Sequence, residues 1–157
     1  MWLLSPTQKA WLAGFVDGEG YLGILFQRKK ENSQQSASPL YHPYLIVTNT
    51  DRNSIFYIRE ILGEGRIYEF DRKNYGFSPS LQYKLTKREA LKRLVVEIKP
   101  FLRVKYKQAE LLLEFLETRE RRKIITWGGS RGKTSFSKEE EEIYQELLRL
   151  NKRGLER

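Results

Sequence analysis

Apolar and polar positions along the 157-residue chain alternate between two periods, and each change of period marks a new element. Trp11, Leu12, Phe15 and Val16 recur at helical spacing. Ser5-Pro6-Thr7-Gln8 precedes them, with an N-cap, a proline at the first helical position and a capping-box glutamine. Ala10, Ala13 and Gly14 are small enough for another helix to approach, and Gly18 and Gly20 end the helix. From Tyr21 to Gln27 the residues are β-formers running into a polar hairpin tip, and Leu40–Asn49 reads as the return strand. Asp51 caps a second helix, with Ile55, Phe56, Ile58, Ile61 and Leu62 apolar and Gly63 at its end. Arg66–Phe70 and residues 81–85 form a second strand pair across the Asn74-Tyr75-Gly76 loop. Thr86-Lys87-Arg88-Glu89 reads as a capping box opening a helix that stops before Pro100. A longer helix over residues 104–122 turns Leu111, Leu112, Phe115 and Leu116 to the core, and a last helix is capped by Ser137 with Glu140.

The order is helix, two strands, helix, two strands, then helices. That predicts an α+β fold whose four antiparallel strands carry helices on one face and leave the other free. Residues 1–125 would form the core domain, 126–136 a basic loop, and 137–157 a C-terminal helix packed on the core with Ile143, Leu147 and Leu150 inward. Alternation along the strands puts Leu22, Ile24 and Phe26 inside, with Tyr21, Gly23, Leu25, Gln27 and Lys29 outside. On the third strand Ile67 and Glu69 point in, while Arg66, Tyr68, Phe70 and Arg72 point out. On the fourth, Tyr83 and Leu85 point in, while Gln82 and Lys84 point out.

Charge narrows the function. The formal net charge is +9, and residues 138–146 hold five glutamates against one lysine, so the rest of the chain is more basic still. Such a body favours a polyanion, because each phosphate it neutralises releases counterions. There is no run of roughly 20 apolar residues to span a bilayer, and Met1-Trp2-Leu3-Leu4 is too short for a secretion signal. Zero cysteines exclude disulfides, zinc–thiolate sites and cysteine nucleophiles, and the single His42 excludes multi-histidine sites within one chain. The Gly-rich stretch 126–133 lacks P-loop spacing, which argues against a nucleotide cradle. An intracellular nucleic-acid protein is expected, with no membrane and no small-molecule substrate.

The candidate chemistry lies in Asp17-Gly18-Glu19-Gly20. A helix C-terminus is already negative and ordinarily favours Lys or Arg. Carboxylates beside free carbonyls make an oxygen-rich nook suited to a hard cation such as Mg²⁺; acids beside glycine are equally turn residues, so the nook alone leaves both readings open. Trp11-Leu12-Ala13-Gly14-Phe15-Val16-Asp17-Gly18-Glu19-Gly20 resembles the signature of the LAGLIDADG homing endonucleases, and the motif occurs once. The resemblance implies an αββαββα core whose concave sheet lies as a saddle in the DNA major groove. It also implies that Glu19 and the Gly18 carbonyl hold the catalytic metal, with Asp17 bracing the helix end. Val47-Thr48-Asn49 falls where the family places an amide near the metal-bound water, which implies that role for Asn49. Leu102-Arg103-Val104-Lys105-Tyr106-Lys107-Gln108-Ala109 matches the segment that carries a lysine to the scissile phosphate, implying Lys105, with Lys107 second. Arg52 is the nearest match to a basic residue following the amide.

The expected function is a site-specific, intron-encoded double-strand DNA endonuclease using Mg²⁺, with Mn²⁺ substituting and Ca²⁺ supporting binding without cleavage. One motif copy requires a homodimer on a near-palindromic site, joined through Ala10, Ala13, Gly14 and Asp17. Tyr21, Gln27, Lys29, Arg66, Tyr68, Phe70, Arg72, Gln82 and Lys84 would meet the DNA. The rival expectations are a non-cleaving splicing maturase or regulator with the same fold, and a generic RNA-binding α+β protein.

Overall fold

The computed structural model describes residues 3–27, 40–71, 76, 78–125 and 138–152; of residues 27, 40 and 122–125 only the backbone is described. Helix α1 (Pro6–Glu19) begins with the anticipated box: Ser5 Oγ accepts from Gln8 N–H at 3.2 Å, and Gln8 Oε1 accepts from Ser5 N–H at 2.9 Å. Strands β1 (Gly20–Gln27) and β2 (Leu40–Asn49) follow, then α2 (Arg52–Leu62), β3 (Arg66–Phe70), β4 (Ser80–Leu85) and α3 (Arg88–Ile98). A 3₁₀ turn (Lys99–Phe101) leads to α4 (Tyr106–Ile125), and α5 (Lys138–Asn151) completes the described elements.

The strands form one antiparallel sheet in the order β1-β2-β4-β3. Its inner face is apolar. Leu22, Leu45, Val47, Tyr83 and Leu85 are buried against Leu12 and Val16 of α1, Ile55 and Ile58 of α2, Leu91 and Leu94 of α3, and Leu112 and Phe115 of α4. Each such side chain contributes about 1.5–3 kcal/mol of burial, so the inner face holds the helices in place. The outer face carries the mixed polar and aromatic residues that alternation predicts.

Two local expectations need correction. Thr86 does not cap α3: the N-cap is Lys87, without a side-chain cap bond, and its ammonium instead pairs with Glu64 at 3.2 Å. Glu69 shares the inner face with Ile67 but is not buried; its side chain is 55% exposed and meets Arg52 at 3.1 Å, because β3 is an edge strand and α2 begins there with a charged residue. Glu140 is fully buried and contacts Arg119 at 3.1 Å, while Ser137, the expected cap, lies outside the described residues, as do the hairpin tip and the basic loop.

Helix α5 is joined to the core by more than this pair. Ile143 and Leu147 are buried, and the Tyr41 hydroxyl bonds Glu141. Asn151 Nδ2 donates to the Leu22 carbonyl at 2.8 Å, satisfying an acceptor on the open side of edge strand β1. At the other end of the sheet, Gly65 has φ +92°, and a Cβ there would lie 2.5 Å from the ring of buried Tyr83, whose hydroxyl donates to the Glu64 carbonyl at 2.9 Å. Only glycine fits that turn.

Candidate functional site

The end of α1 is held by a turn from a distant part of the chain. The Asp17 carboxylate accepts the backbone N–H of Arg103 at 2.6 Å and that of Lys105 at 2.9 Å. In return, Lys105 Nζ donates to the Asp17 carbonyl. The reciprocity has a physical basis: the last helical carbonyls lack intrahelical donors and the helix end is negative, so an ammonium is favoured there. Asp17 supplies the acceptor that the tight turn after Pro100 and Leu102 needs for its own N–H groups. The family segment and the motif therefore meet, which their 88-residue separation alone did not show.

Two residues on, Glu19 closes α1 with its side chain exposed, and Gly20 opens β1. Of the last carbonyls, that of Val16 accepts from Gly20 N–H and that of Asp17 from Lys105. Gly18 is exposed, with open space where a Cβ would stand. A carboxylate and an adjacent accessible carbonyl are the donor types a hard divalent cation takes, so these residues fit such an ion. Among the described residues, no group of three His, Cys, Asp or Glu side chains gathers into a complete metal cage. One chain thus offers one carboxylate arm.

The other expected catalytic residues lie at and just after the end of β2. Asn49 sits on the inner face, opposite Leu81, and its Oδ1 accepts from Asp51 N–H at 2.8 Å in an Asx turn leading into α2. Arg52 is drawn to Glu69 and lies over the Phe56 ring, 5.9 Å from its centroid. The structure brings Lys105 to the motif by direct contact; Asn49 ends β2, two residues past Val47, which pairs with Gly20 of the motif, and Arg52 opens α2.

For the expected dimer residues, Ala10 and Gly14 are exposed, and nothing lies within 4 Å of a Cβ built on Gly14. Ala13 is a correction: at 0% exposure it belongs to the protomer's own core, because it faces the same side as Leu12 and Val16. The carboxylate of Asp17 is likewise committed to the Lys105 turn. The exposed stripe is Thr7, Ala10, Gly14 and Gly18, with Trp11 and Phe15 stacked at 5.2 Å beside it.

On the outer sheet face, Tyr21, Arg66, Tyr68, Phe70, Gln82 and Lys84 stand as alternation predicts, with Leu25 half exposed. Lys29, Arg72 and the side chain of Gln27 lie outside the description. One feature of this face was not anticipated. Tyr21 and Tyr44 stack at 5.8 Å across Gly23, where a Cβ would come 2.4 Å from the Tyr21 ring. Burial, then the neighbouring Tyr21 phenol, pushes the Tyr44 hydroxyl up to about 12. The Lys84 ammonium lies 5.5 Å from the Tyr44 ring centroid, a cation–π contact. The absence of a side chain at Gly23, directly opposite Tyr44, was the signal available in the sequence.

No protein-family model matches the chain. A DNA endonuclease of Chlamydomonas reinhardtii, I-CreI, is 31% identical over 108 residues, which are 68% of this chain and 61% of that protein. The match thus spans under two thirds of the relative's length. Among solved structures, I-CvuI bound to the I-CreI target superposes with a TM-score of 0.59 at 19% identity, covering 90% of this chain and 94% of that one. An archaeal intron-encoded homing endonuclease, I-Vdi141I, complexed with DNA gives 0.60 at 15% identity, covering 92% and 96%. The I-SmaMI LAGLIDADG homing endonuclease bound to cleaved DNA gives 0.63 at 16%, covering 88% of this chain and 42% of that one. With a motif helix of this signature opening a sheet of this order, and with these likenesses in sequence and structure, the chain has the fold of the LAGLIDADG homing endonucleases.

Proposed function

We propose that the chain is a site-specific double-strand DNA endonuclease, acting as a homodimer on a long near-palindromic site. The observation that carries this reading is the exposed Glu19 at the end of a helix whose last turn is bound to a lysine turn. Net charge +9 supports a polyanionic substrate, and similar structures were solved on DNA, one of them in the presence of Ca. Residues 1–125 act as the core, with the basic loop and α5 as additions to it.

Hydrolysing a phosphodiester requires an activated water, a stabilised leaving oxygen and neutralisation of charge on the phosphate. Glu19 and the Gly18 carbonyl would hold the divalent cation, Mg²⁺ or Mn²⁺, which supplies Lewis acidity and lowers the pKa of water. Lys105 bears on the charge of the scissile phosphate, its backbone fixed by Asp17. Asn49 uses its Oδ1 in the Asx turn and has its amide N–H groups left for water. Arg52 acts at one remove, held by Glu69. A two-fold axis along Thr7, Ala10, Gly14 and Gly18 brings two copies of Glu19 to neighbouring phosphates on opposite strands. The outer face reads the groove: Gln82 has the geometry for a base edge, and Tyr68 and Phe70 suit thymine methyls.

The test is a randomised duplex library incubated with Mg²⁺, then with Ca²⁺, followed by sequencing of the cut and bound fractions. Cuts at one near-palindromic sequence in Mg²⁺ alone are the expected result. Enrichment of bound sites without cuts in either metal would favour the non-cleaving reading.

A further inference from the structure

The register of β3 against β4 sets Arg66 directly opposite Lys84 on the outer face. Like charges in that position repel and destabilise a sheet. Among the described residues neither cation has a carboxylate partner within ion-pair distance. Lys84 leans away over the diagonal Tyr44 ring instead, 5.5 Å from its centroid. Between and below the two cations lies a cleft of about 580 Å³, lined by Glu64, Arg66, Tyr68, Lys84 and Lys87 among others. Glu64 in the cleft gives its Oε1 to Lys87 at 3.2 Å, while its Oε2 is buried without a hydrogen-bond partner and makes no ion pair with Arg66 or Lys84. Arg66 and Lys84 are left as two uncompensated charges.

Their place in the sheet decides what they meet. Arg66 is the first residue of β3 and Lys84 the penultimate residue of β4, so the cleft opens at the ends of strands, beside the Gly65 turn. A ribbon lying in a major groove about 12 Å wide presents its middle to base edges and its ends to the bordering phosphates. We infer that the Arg66–Lys84 cleft is a phosphate-binding site that grips the nucleic-acid backbone, and that these two residues anchor the sheet without reading sequence. This rests on the DNA-binding reading for its natural ligand, and on the charge pair alone for the site.

Two measurements test it. In the first, the unchanged chain, Arg66→Gln and Lys84→Gln are melted at low ionic strength, with chloride and then with inorganic phosphate. Both variants should melt higher than the parent in chloride by about 1–3 °C, and phosphate should raise the parent's midpoint but not theirs. Equal midpoints and equal phosphate responses overturn the site. In the second, the salt dependence of affinity for a library-selected duplex is measured. Each substitution should lower the slope of log affinity against log salt by about 1 and weaken all sequences alike. Loss of preference at one base position, with the slope unchanged, overturns the phosphate assignment in favour of base reading. A positive phosphate response from a chain that binds no duplex would sustain the site while refuting the DNA reading.

Discussion

Asp17 and Lys105 are bound to each other twice: Asp17 Oδ1 accepts the Lys105 N–H at 2.9 Å, and the Lys105 ammonium donates to the Asp17 carbonyl. The first acid of the motif is thereby spent on structure, and only the second, Glu19, faces out. Removing the Asp17 carboxylate should free the turn. Asp17→Ala leaves the Arg103 and Lys105 N–H groups without their acceptor, at a cost of about 1–2 kcal/mol for this partly solvated pair. Cleavage turnover should drop by about 10–100-fold through misplacement of Lys105, with DNA affinity within about threefold of the parent. Single-turnover cleavage and equilibrium binding on one duplex separate the two effects.

The exposed stripe on α1 makes the dimer testable without touching chemistry. Gly14 has open space around it, so Gly14→Leu should leave the protomer folded, with unchanged circular dichroism and a melting midpoint no lower than the parent's. A branched side chain on the two-fold axis should move the sedimentation profile from dimer to monomer and abolish double-strand cleavage. A monomeric parent, or a dimeric Gly14→Leu, would refute assembly through this stripe.

How much of this was legible beforehand depended on the range of the interaction. Local signals sufficed for Ser5 with Gln8, Asp51 with Ser54 and the Gly63 helix end, because each is written within a few residues. Alternation gave the faces of β3 and β4 correctly. It failed on the burial of Glu69, because period-two patterning assigns a face without saying whether a helix covers it. Sequence matching singled out Lys105, but its contact with Asp17 is tertiary and is written in no local pattern. Ala13 was misjudged because small size is compatible with both a close helix approach and a tight core, and the neighbours that decide between them are distant in sequence.

The buried pair of Arg119 and Glu140 holds α5 against α4, at 3.1 Å with Glu140 fully enclosed. Glu140→Ala should cost about 3 kcal/mol, because it removes the buried carboxylate that a largely buried guanidinium faces. Replacing both residues by apolar ones of similar volume, Arg119→Met with Glu140→Leu, should recover most of that loss. Urea unfolding of the two variants checks the difference.

Alkaline titration gives a further expectation. Burial raises the phenol pKa of Tyr41 and Tyr83, with Glu141 adding to the shift at Tyr41, and it raises Tyr44 to about 12. A raised phenol stabilises the folded state fully below the ordinary value of about 10, and that contribution is lost as pH climbs through the folded value. Stability should therefore begin to fall above about pH 10, which chemical unfolding across that range measures. Tyr44→Phe should remove one of the late-titrating phenols.

The central claim is that the chemistry requires Glu19 and that holding DNA does not. Cleavage and affinity of Glu19→Gln, measured with Mg²⁺ on a duplex selected by the unchanged chain, test this most directly. The account predicts cleavage reduced by about 1,000-fold or more, a loss of about 4 kcal/mol in transition-state stabilisation, with DNA binding equal to the parent's or tighter because a negative charge has left the phosphates. Retained cleavage, or a loss of binding that accounts for the loss of cleavage, would contradict it.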